Sequence, residues 1–247
     1  MTTAPVADQR RLLDVQALDT RLAQLAHRRR TLPEHAELEA LEQRRRTVAD
    51  QLVAARTILS DVRRELAKAE ADVEQVRQRA ARDRAHLDSG RGSAKDLQGL
   101  QHELESLTRR QSTLEDAELE VMERLEQAEA AEQALEAERE ALDRAHAALV
   151  ERRDAAVAQI DAETERVGGE RAGAAQGLDA GLVALYDKVR EQQAGVGAAA
   201  LKGRRCEGCR LELTPTELQR IRTAPEDEVL RCEECRRILV RLPESGQ

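Results

Sequence analysis

Apolar side chains recur at alternating three- and four-residue steps over most of this chain. In the segment from Asp8 to Leu32, Val15, Leu18, Leu22, Leu25 and Leu32 define one apolar stripe, which predicts an amphipathic helix. Pro33 lacks a backbone donor and crowds the preceding turn, so a break is expected at Leu32-Pro33. From Leu38 the seam runs Leu38, Leu41, Arg45, Val48, Leu52, Ala55, Leu59, Val62, Leu66, Ala69, Val73, Val76, Ala80, Asp83, Leu87 without a slip. A seven-residue repeat held this long between charged flanks is the signature of a left-handed coiled coil.

The seam stops at Asp88-Ser89-Gly90-Arg91-Gly92-Ser93, where either glycine can close a helix in the left-handed region. Ser93 and Asp96 have capping-box spacing, so the tip is placed at residues 88–96 and a second helix starts there. Its seam reads Leu97, Leu100, Leu104, Leu107, Gln111, Leu114, Glu118, Val121, Leu125, Ala128, Glu132, Leu135, Arg139, Leu142, His146, Leu149. The two seams mirror one another about the turn: Leu38 matches Leu149, Leu52 matches Leu135 and Val73 matches Leu114, each pair summing to 187. Parallel helices from separate chains have no reason to show this reflection. The expected fold is mostly α, a long antiparallel coiled-coil hairpin folded within one chain.

Beyond Ile160 the pattern weakens at Val167-Gly168-Gly169, and a separate short helix is expected over 170–192, closing a helical region of 1–192. Gly173, Gly177 and Gly181 recur every four residues, which fits either a close helix approach or a weak helix of small residues. Residues 193–200 lack a period and read as a linker. In the tail, 201–247, Leu211-Glu212-Leu213 and Ile238-Leu239-Val240 read as short strands. Thr214, Pro215 and Glu217 mark the start of a small helix to Thr223.

Composition supports this outline. Of 247 residues 36% are charged, Phe and Trp are absent, and Tyr186 is the single aromatic, which disfavours a large globular core. The formal charge of -8 belongs to the helices: from Leu201 on there are ten Lys/Arg against nine Asp/Glu, leaving 30 against 39 before it. No apolar leader follows Met1 and no run approaches 18 apolar residues, so a cytoplasmic protein without a membrane span is expected.

The four cysteines change the picture. Cys206, Cys209, Cys232 and Cys235 form two Cys-x-x-Cys pairs 22 residues apart, a spacing that turns four thiolates onto one ion. In a reducing compartment metal is favoured over disulfide, and no aromatic packing suited to an iron electron-transfer centre accompanies them. One structural Zn(II) in a Cys₄ zinc ribbon is therefore expected, supplying folding free energy to a tail too small and polar to fold alone. Four thiolates close the coordination shell, the histidines all lie in the helical portion, and no nucleophile with its base is legible. A non-enzymatic protein without a small-molecule substrate is the expectation.

Arg204, Arg205, Arg210, Arg231, Arg236 and Arg237 crowd the cysteines. They read either as a phosphate-binding patch or as compensation for the -2 charge of Zn(Cys)₄, with Glu207, Glu233 and Glu234 interspersed. Arg91 and Lys95, with neighbouring arginines, make the hairpin tip basic, which fits a solvated surface or a partner site.

The tip Ser93-Ala94-Lys95-Asp96-Leu97-Gln98-Gly99-Leu100-Gln101-His102-Glu103-Leu104 and the two cysteine segments together resemble the bacterial C4-type zinc-ribbon, coiled-coil hairpin proteins. The likeness spans nearly the whole chain. Members often carry Cys-Pro-x-Cys-Gly-Arg-Ile-Leu at the second cysteine pair, where this chain has Glu233 for the proline and Arg236 for the glycine. The resemblance implies an interaction protein that binds a protein partner, such as a transcription component, or nucleic acid.

Overall fold

The computed structural model describes residues 2–242. The helices are α1 (Val6–Arg30), α2 (Pro33–Asp88), α3 (Ala94–Ala175), α4 (Ala180–Gln192) and α5 (Pro215–Thr223). The strands are β1 (Ala198–Lys202), β2 (Arg205–Cys206) and β3 (Ile238–Arg241). Two compact units result: Ala36–Val150, and a second that gathers residues up to 35 with those from 151 on.

Within Ala36–Val150, α2 and α3 run antiparallel. None of the seam residues named above is exposed, and Leu38, Val48, Leu52, Leu59, Val62, Val73 and Val76 are buried. Cross-helix ion pairs report the register directly. Arg44–Glu138, Arg45–Asp143, Arg56–Glu132, Arg63–Glu129, Glu65–Arg124, Arg77–Glu115 and Arg79–Glu103 have residue numbers summing to between 182 and 192. Partly solvated pairs of this kind contribute about 0–1 kcal/mol each, so they select the register while the apolar seam supplies the stability. At the turn Ser93 N donates to Asp96 Oδ2 (3.0 Å) and Asp96 N donates to Ser93 Oγ (3.3 Å), a reciprocal cap.

The other unit packs α1 against the last part of α3. Leu25, Leu32, Ile160 and Val167 form one cluster, and Arg21–Glu163 and Arg29–Asp161 pair across it. The chain breaks between Arg30 and Pro33 as the proline requires, yet α1 pairs with α3 in the same antiparallel register. The expected weakening at Gly168-Gly169 does not occur: α3 runs on to Ala175, because buried Val167 and the Arg171–Asp19 ion pair offset about 1 kcal/mol per helical glycine. The break falls at 176–179, and the short helix starts at Ala180 rather than 170. Gly177, at φ 76°, ends α3, and nothing approaches Gly173 or Gly177 within 4 Å, so these glycines serve no helix contact.

The segment read as a linker is shorter than expected. Ala198–Lys202 is the central strand of a sheet ordered β2-β1-β3, antiparallel to β2 and parallel to β3. The strand left no periodic signal because Ala198, Ala199 and Ala200 are identical, and two of them are buried. Leu211-Glu212-Leu213 forms only a bridge through Glu212 to Arg205. Residues 243–247 of the expected tail domain lie outside the described residues.

The sheet is seated on the helices through a common core of Ala4, Leu12, Val15, Leu182, Tyr186, Ala198, Val229, Ile238 and Val240. Thr3 bridges Glu228, and the Gln9 side chain donates to the Ala4 and Asp227 carbonyls, so the chain start straps the 226–229 loop. Gln16 Oε1 accepts from Gly197 N (2.6 Å) and from the Tyr186 hydroxyl (3.2 Å). The hydroxyl also donates to Asp19 Oδ2 (2.7 Å). Gly197 admits no side chain, since a Cβ there would meet the Tyr186 ring at 2.7 Å. Burial, reinforced by Asp19, pushes the Tyr186 phenol well above its usual range, so it stays a neutral donor.

Two outcomes are expected. Nitroxides at 53 and 134 in one chain lie within about 25 Å, given helix axes about 10 Å apart, while 53 and 98 lie about 50 Å apart; double electron–electron resonance giving the reverse order excludes the hairpin. Tyr186→Phe removes the one hydroxyl proton that Asp19 and, more weakly, Gln16 accept, and costs about 1–3 kcal/mol, read as a lower urea midpoint at unchanged slope.

Candidate metal centre

Each cysteine pair sits on a tight backbone turn, and the two turns match residue for residue at an offset of 26. In the first, Cys206 N donates to Leu211 O (3.1 Å) and Arg210 N to Cys206 O (2.7 Å). In the second, Cys232 N donates to Arg237 O (3.0 Å) and Arg236 N to Cys232 O (2.9 Å). Both turns place an arginine in the left-handed region, Arg210 at φ 65° and Arg236 at φ 59°. Arg236 therefore keeps the turn that glycine makes more cheaply, at a strain of about 1 kcal/mol. The difference at the first turn's third position has a steric cause. A Cβ on Gly208 would meet Ala199 and Arg237 at 2.9 Å, whereas the equivalent Glu234 is exposed.

The four Sγ atoms lie within 4.8 Å of one another. Cys206 to Cys235 and Cys209 to Cys232 are each 3.9 Å apart. A tetrahedron with Zn–S of about 2.3 Å has edges of about 3.8 Å, so the set fits Zn²⁺ with all four positions filled by protein. Cys206 and Cys232 are buried, Cys209 and Cys235 half-buried. Backbone N–H groups of Gly208 and Cys209 point at the Cys206 sulfur, and those of Glu234 and Cys235 at Cys232. Burial pushes the Cys206 thiol up and the Cys232 thiol up to about 12. Burial opposes ionisation of Cys235 too, but the Arg237 N–H and the neighbouring thiols stabilise its thiolate and hold it below the ordinary range. A divalent cation held by Cys206, Cys209, Cys232 and Cys235 would supply the charge that lets the remaining sulfurs lose their protons.

The six arginines expected as a patch divide. Arg237 is internal: Nε donates to Val196 O (3.1 Å), and its two terminal nitrogens to Gly208 O (3.1 Å) and Gln193 O (3.3 Å). Arg231 Nε donates to Arg236 O (2.7 Å), and Arg205 pairs with Glu207 at 3.0 Å. Arg231 and Arg237 thus brace the turn backbones, while Arg205 holds an exposed ion pair beside them. Arg204, Arg210 and Arg236 are exposed, with no side-chain hydrogen bond or ion pair among the described residues. Arg91 and Lys95 lie exposed in the hairpin turn, in the other compact unit. Two further residues escaped the sequence reading. Arg241 donates to the carbonyls of Ile221, Ala224, Pro225, Glu226 and Glu228, and buried Glu217 accepts from Glu233 N (3.1 Å). The capping spacing located Glu217, but nothing local showed that its carboxylate turns to the second cysteine pair.

A long helical hairpin within one chain, continued by two cysteine turns that converge on one tetrahedral site, defines a coiled-coil protein with a C4 zinc ribbon. The CT398-like coiled coil hairpin domain matches residues 15–194 and the C4-type zinc ribbon domain residues 205–239, and the chain belongs to this family. It is 41% identical over 239 residues to protein Rv2229c of Mycobacterium tuberculosis, covering 97% of each chain. It is 35% identical to protein ML1638 of Mycobacterium leprae over 93% of this chain and 94% of that one. A solved structure from Mycobacterium smegmatis superposes with a TM-score of 0.83 at 38% identity, over 97% of this chain and 100% of that one. CT398 of Chlamydia trachomatis shares the fold at TM-score 0.66 and 16% identity, over 96% and 98% of the two chains.

Zinc titrated into the metal-free chain is expected to saturate at one equivalent, and Cys232→Ser to abolish tight binding. Because protons and metal compete for the same sulfurs, affinity falls as pH is lowered from about 8 to about 6. Competition with a chromophoric chelator reads this, and pH-independent affinity would rule out thiolate ligation.

Proposed function

We infer that the protein is a non-enzymatic zinc-binding adaptor of the cytoplasm, in which one structural ion folds the ribbon and exposed cations meet a protein partner. The observation that carries the reading is the division among the arginines. Where Arg231 and Arg237 are engaged on turn carbonyls and Arg205 in a surface pair with Glu207, Arg204, Arg210 and Arg236 stand free around a metal shell with no position left for substrate. Arg91 and Lys95 in the hairpin turn are a second exposed cationic site. The family resemblance points to a transcription-related partner, and an acidic surface on it would match these cationic sites. No helix among the described residues is long and apolar enough to cross a membrane.

The second reading is a DNA- or RNA-binding regulator acting through the ribbon. The free arginines favour it, but Zn(Cys)₄ adds two negative charges to a tail whose own balance is ten cations against nine anions. That leaves little net field to attract a polyanion.

Affinity purification of the tagged chain, with and without nuclease, separates the two. The adaptor reading expects protein partners that survive nuclease and disappear from Arg204/Arg210/Arg236→Ala or from Arg91/Lys95→Ala. Both variants retaining every partner counts against it. The nucleic-acid reading expects binding that weakens with salt and on neutralising the free ribbon arginines, and no mobility shift at about 50 mM salt removes it.

A further inference from the structure

The matched geometry of the two cysteine turns exposes one difference between them. In each turn the N–H groups of the third and fourth residues face a sulfur, so the N–H of the second residue must be held outward to fix the peptide plane. In the first turn that donor, Glu207 N, bonds to Ala200 O of β1 (3.0 Å). In the second turn no strand among the described residues lies there. The equivalent donor, Glu233 N, bonds instead to Glu217 Oε1 at 3.1 Å.

Glu217 is 3% exposed, an unusual place for a carboxylate beside a site that binds zinc as a dianion. Its position in the first turn of α5 offsets part of the cost through the helix dipole, and Thr214 Oγ1, which accepts from Glu217 N (3.2 Å), fixes the backbone that carries it. A charged acceptor makes a hydrogen bond roughly twice as strong as a neutral one, which suits a single side chain replacing a strand edge. Buried Leu218 and Ile221, next along α5, pack in one cluster with Cys206, Cys232 and Leu230, so the helix is fixed against the site that it serves.

The geometry points to Glu217 as a positioning residue of the metal centre, a side-chain substitute for the strand that anchors the first turn, setting how tightly and in what geometry Cys232 and Cys235 hold zinc. This rests on the zinc-binding reading of the four cysteines, and the experiment tells the two apart. The full-length chain is stripped of metal and titrated with Zn²⁺ against a chromophoric chelator, then with Co²⁺, whose visible bands report the thiolate geometry. Glu217→Ala is expected to bind 10–100-fold more weakly, as loss of an outer-shell partner does, with shifted Co²⁺ bands. Glu217→Gln keeps an acceptor and is expected within a few-fold of the parent. Ile221→Ala, which loosens α5 without touching Glu233 N, is expected to leave the Co²⁺ spectrum unchanged.

Parent-like affinity and spectrum in Glu217→Ala overturn the proposal, as does a loss shared equally by Ile221→Ala with both spectra unaltered. If Glu217→Ala does not fold, Glu217→Asp, one methylene shorter, takes its place: weakened binding with shifted bands supports the role, and parent values overturn it. Failure of the parent chain itself to bind zinc defeats the underlying reading instead.

Discussion

A carboxylate buried at Asp19 is tolerable only because hydrogen bonds and cations from other elements converge on it. Its side chain is 4% exposed; it accepts from the Tyr186 hydroxyl of α4 and from Arg171 at the end of α3, and Arg190 of α4 completes the set as an ion-pair partner at 3.6 Å. Removing an ion of this size from water costs several kcal/mol unless its lone pairs are filled, so the three helices either meet together or not at all. Gln16, one helical turn before Asp19 on α1, carries the same junction to Gly197 and Ala198, where β1 begins. The strand that positions the first cysteine turn is thus fixed by polar contacts made two elements away.

This arrangement changes what zinc has to accomplish. A ribbon of about 40 residues buries too little apolar surface to fold alone. Here Ile238 and Val240 of β3 and Val229 of the preceding loop share a core with α1 and α4, while Ala199, Leu201 and Leu239 face the cluster around the sulfurs. One side of the sheet is secured by packing on the helices, and the other by the apolar cluster around the sulfurs, which a bound metal would tie together. Metal loss is then expected to loosen the cysteine turns and α5 first, because the β1–β3 pairing keeps its contacts to Tyr186 and Leu12.

What the sequence made legible follows from the range of each interaction. Helical periodicity is local and redundant over 50 residues, so every seam position read from spacing is buried or half-buried, Arg45, Glu118 and Arg139 being among the half-buried. The mirror symmetry of the seams carried the long-range pairing as well, and the cysteine spacing carried the metal site. Where the reading stopped, the deciding contact was distant in sequence and made by an ordinary residue. Ala198–Ala200 become a strand through β3, 40 residues on, and Gly168-Gly169 stay helical because Val167 meets the Leu25 cluster. Glu217 has a local signature as a capping residue and a distant task at Glu233. Arginine clusters were the least legible, since a guanidinium that clasps carbonyls and one that awaits a ligand look identical in a string.

The arginines also explain how an Arg-rich chain holds so little surplus positive field. Along the hairpin several of them, Arg44, Arg63 and Arg77 among them, face glutamates of the opposite helix in a register the seam imposes and are neutralised where they stand. In the ribbon Arg237 and Arg241 are spent on backbone carbonyls of the loops and turns, which makes them structural donors rather than mobile charge. Zn(Cys)₄ removes two more units from what remains. Contacts made by Arg204, Arg210 and Arg236 must therefore draw their strength from direct hydrogen bonds at short range, not from long-range steering. Short-range contacts discriminate by shape and donor geometry, which two arginines held in left-handed turns on a shared metal site are well placed to supply.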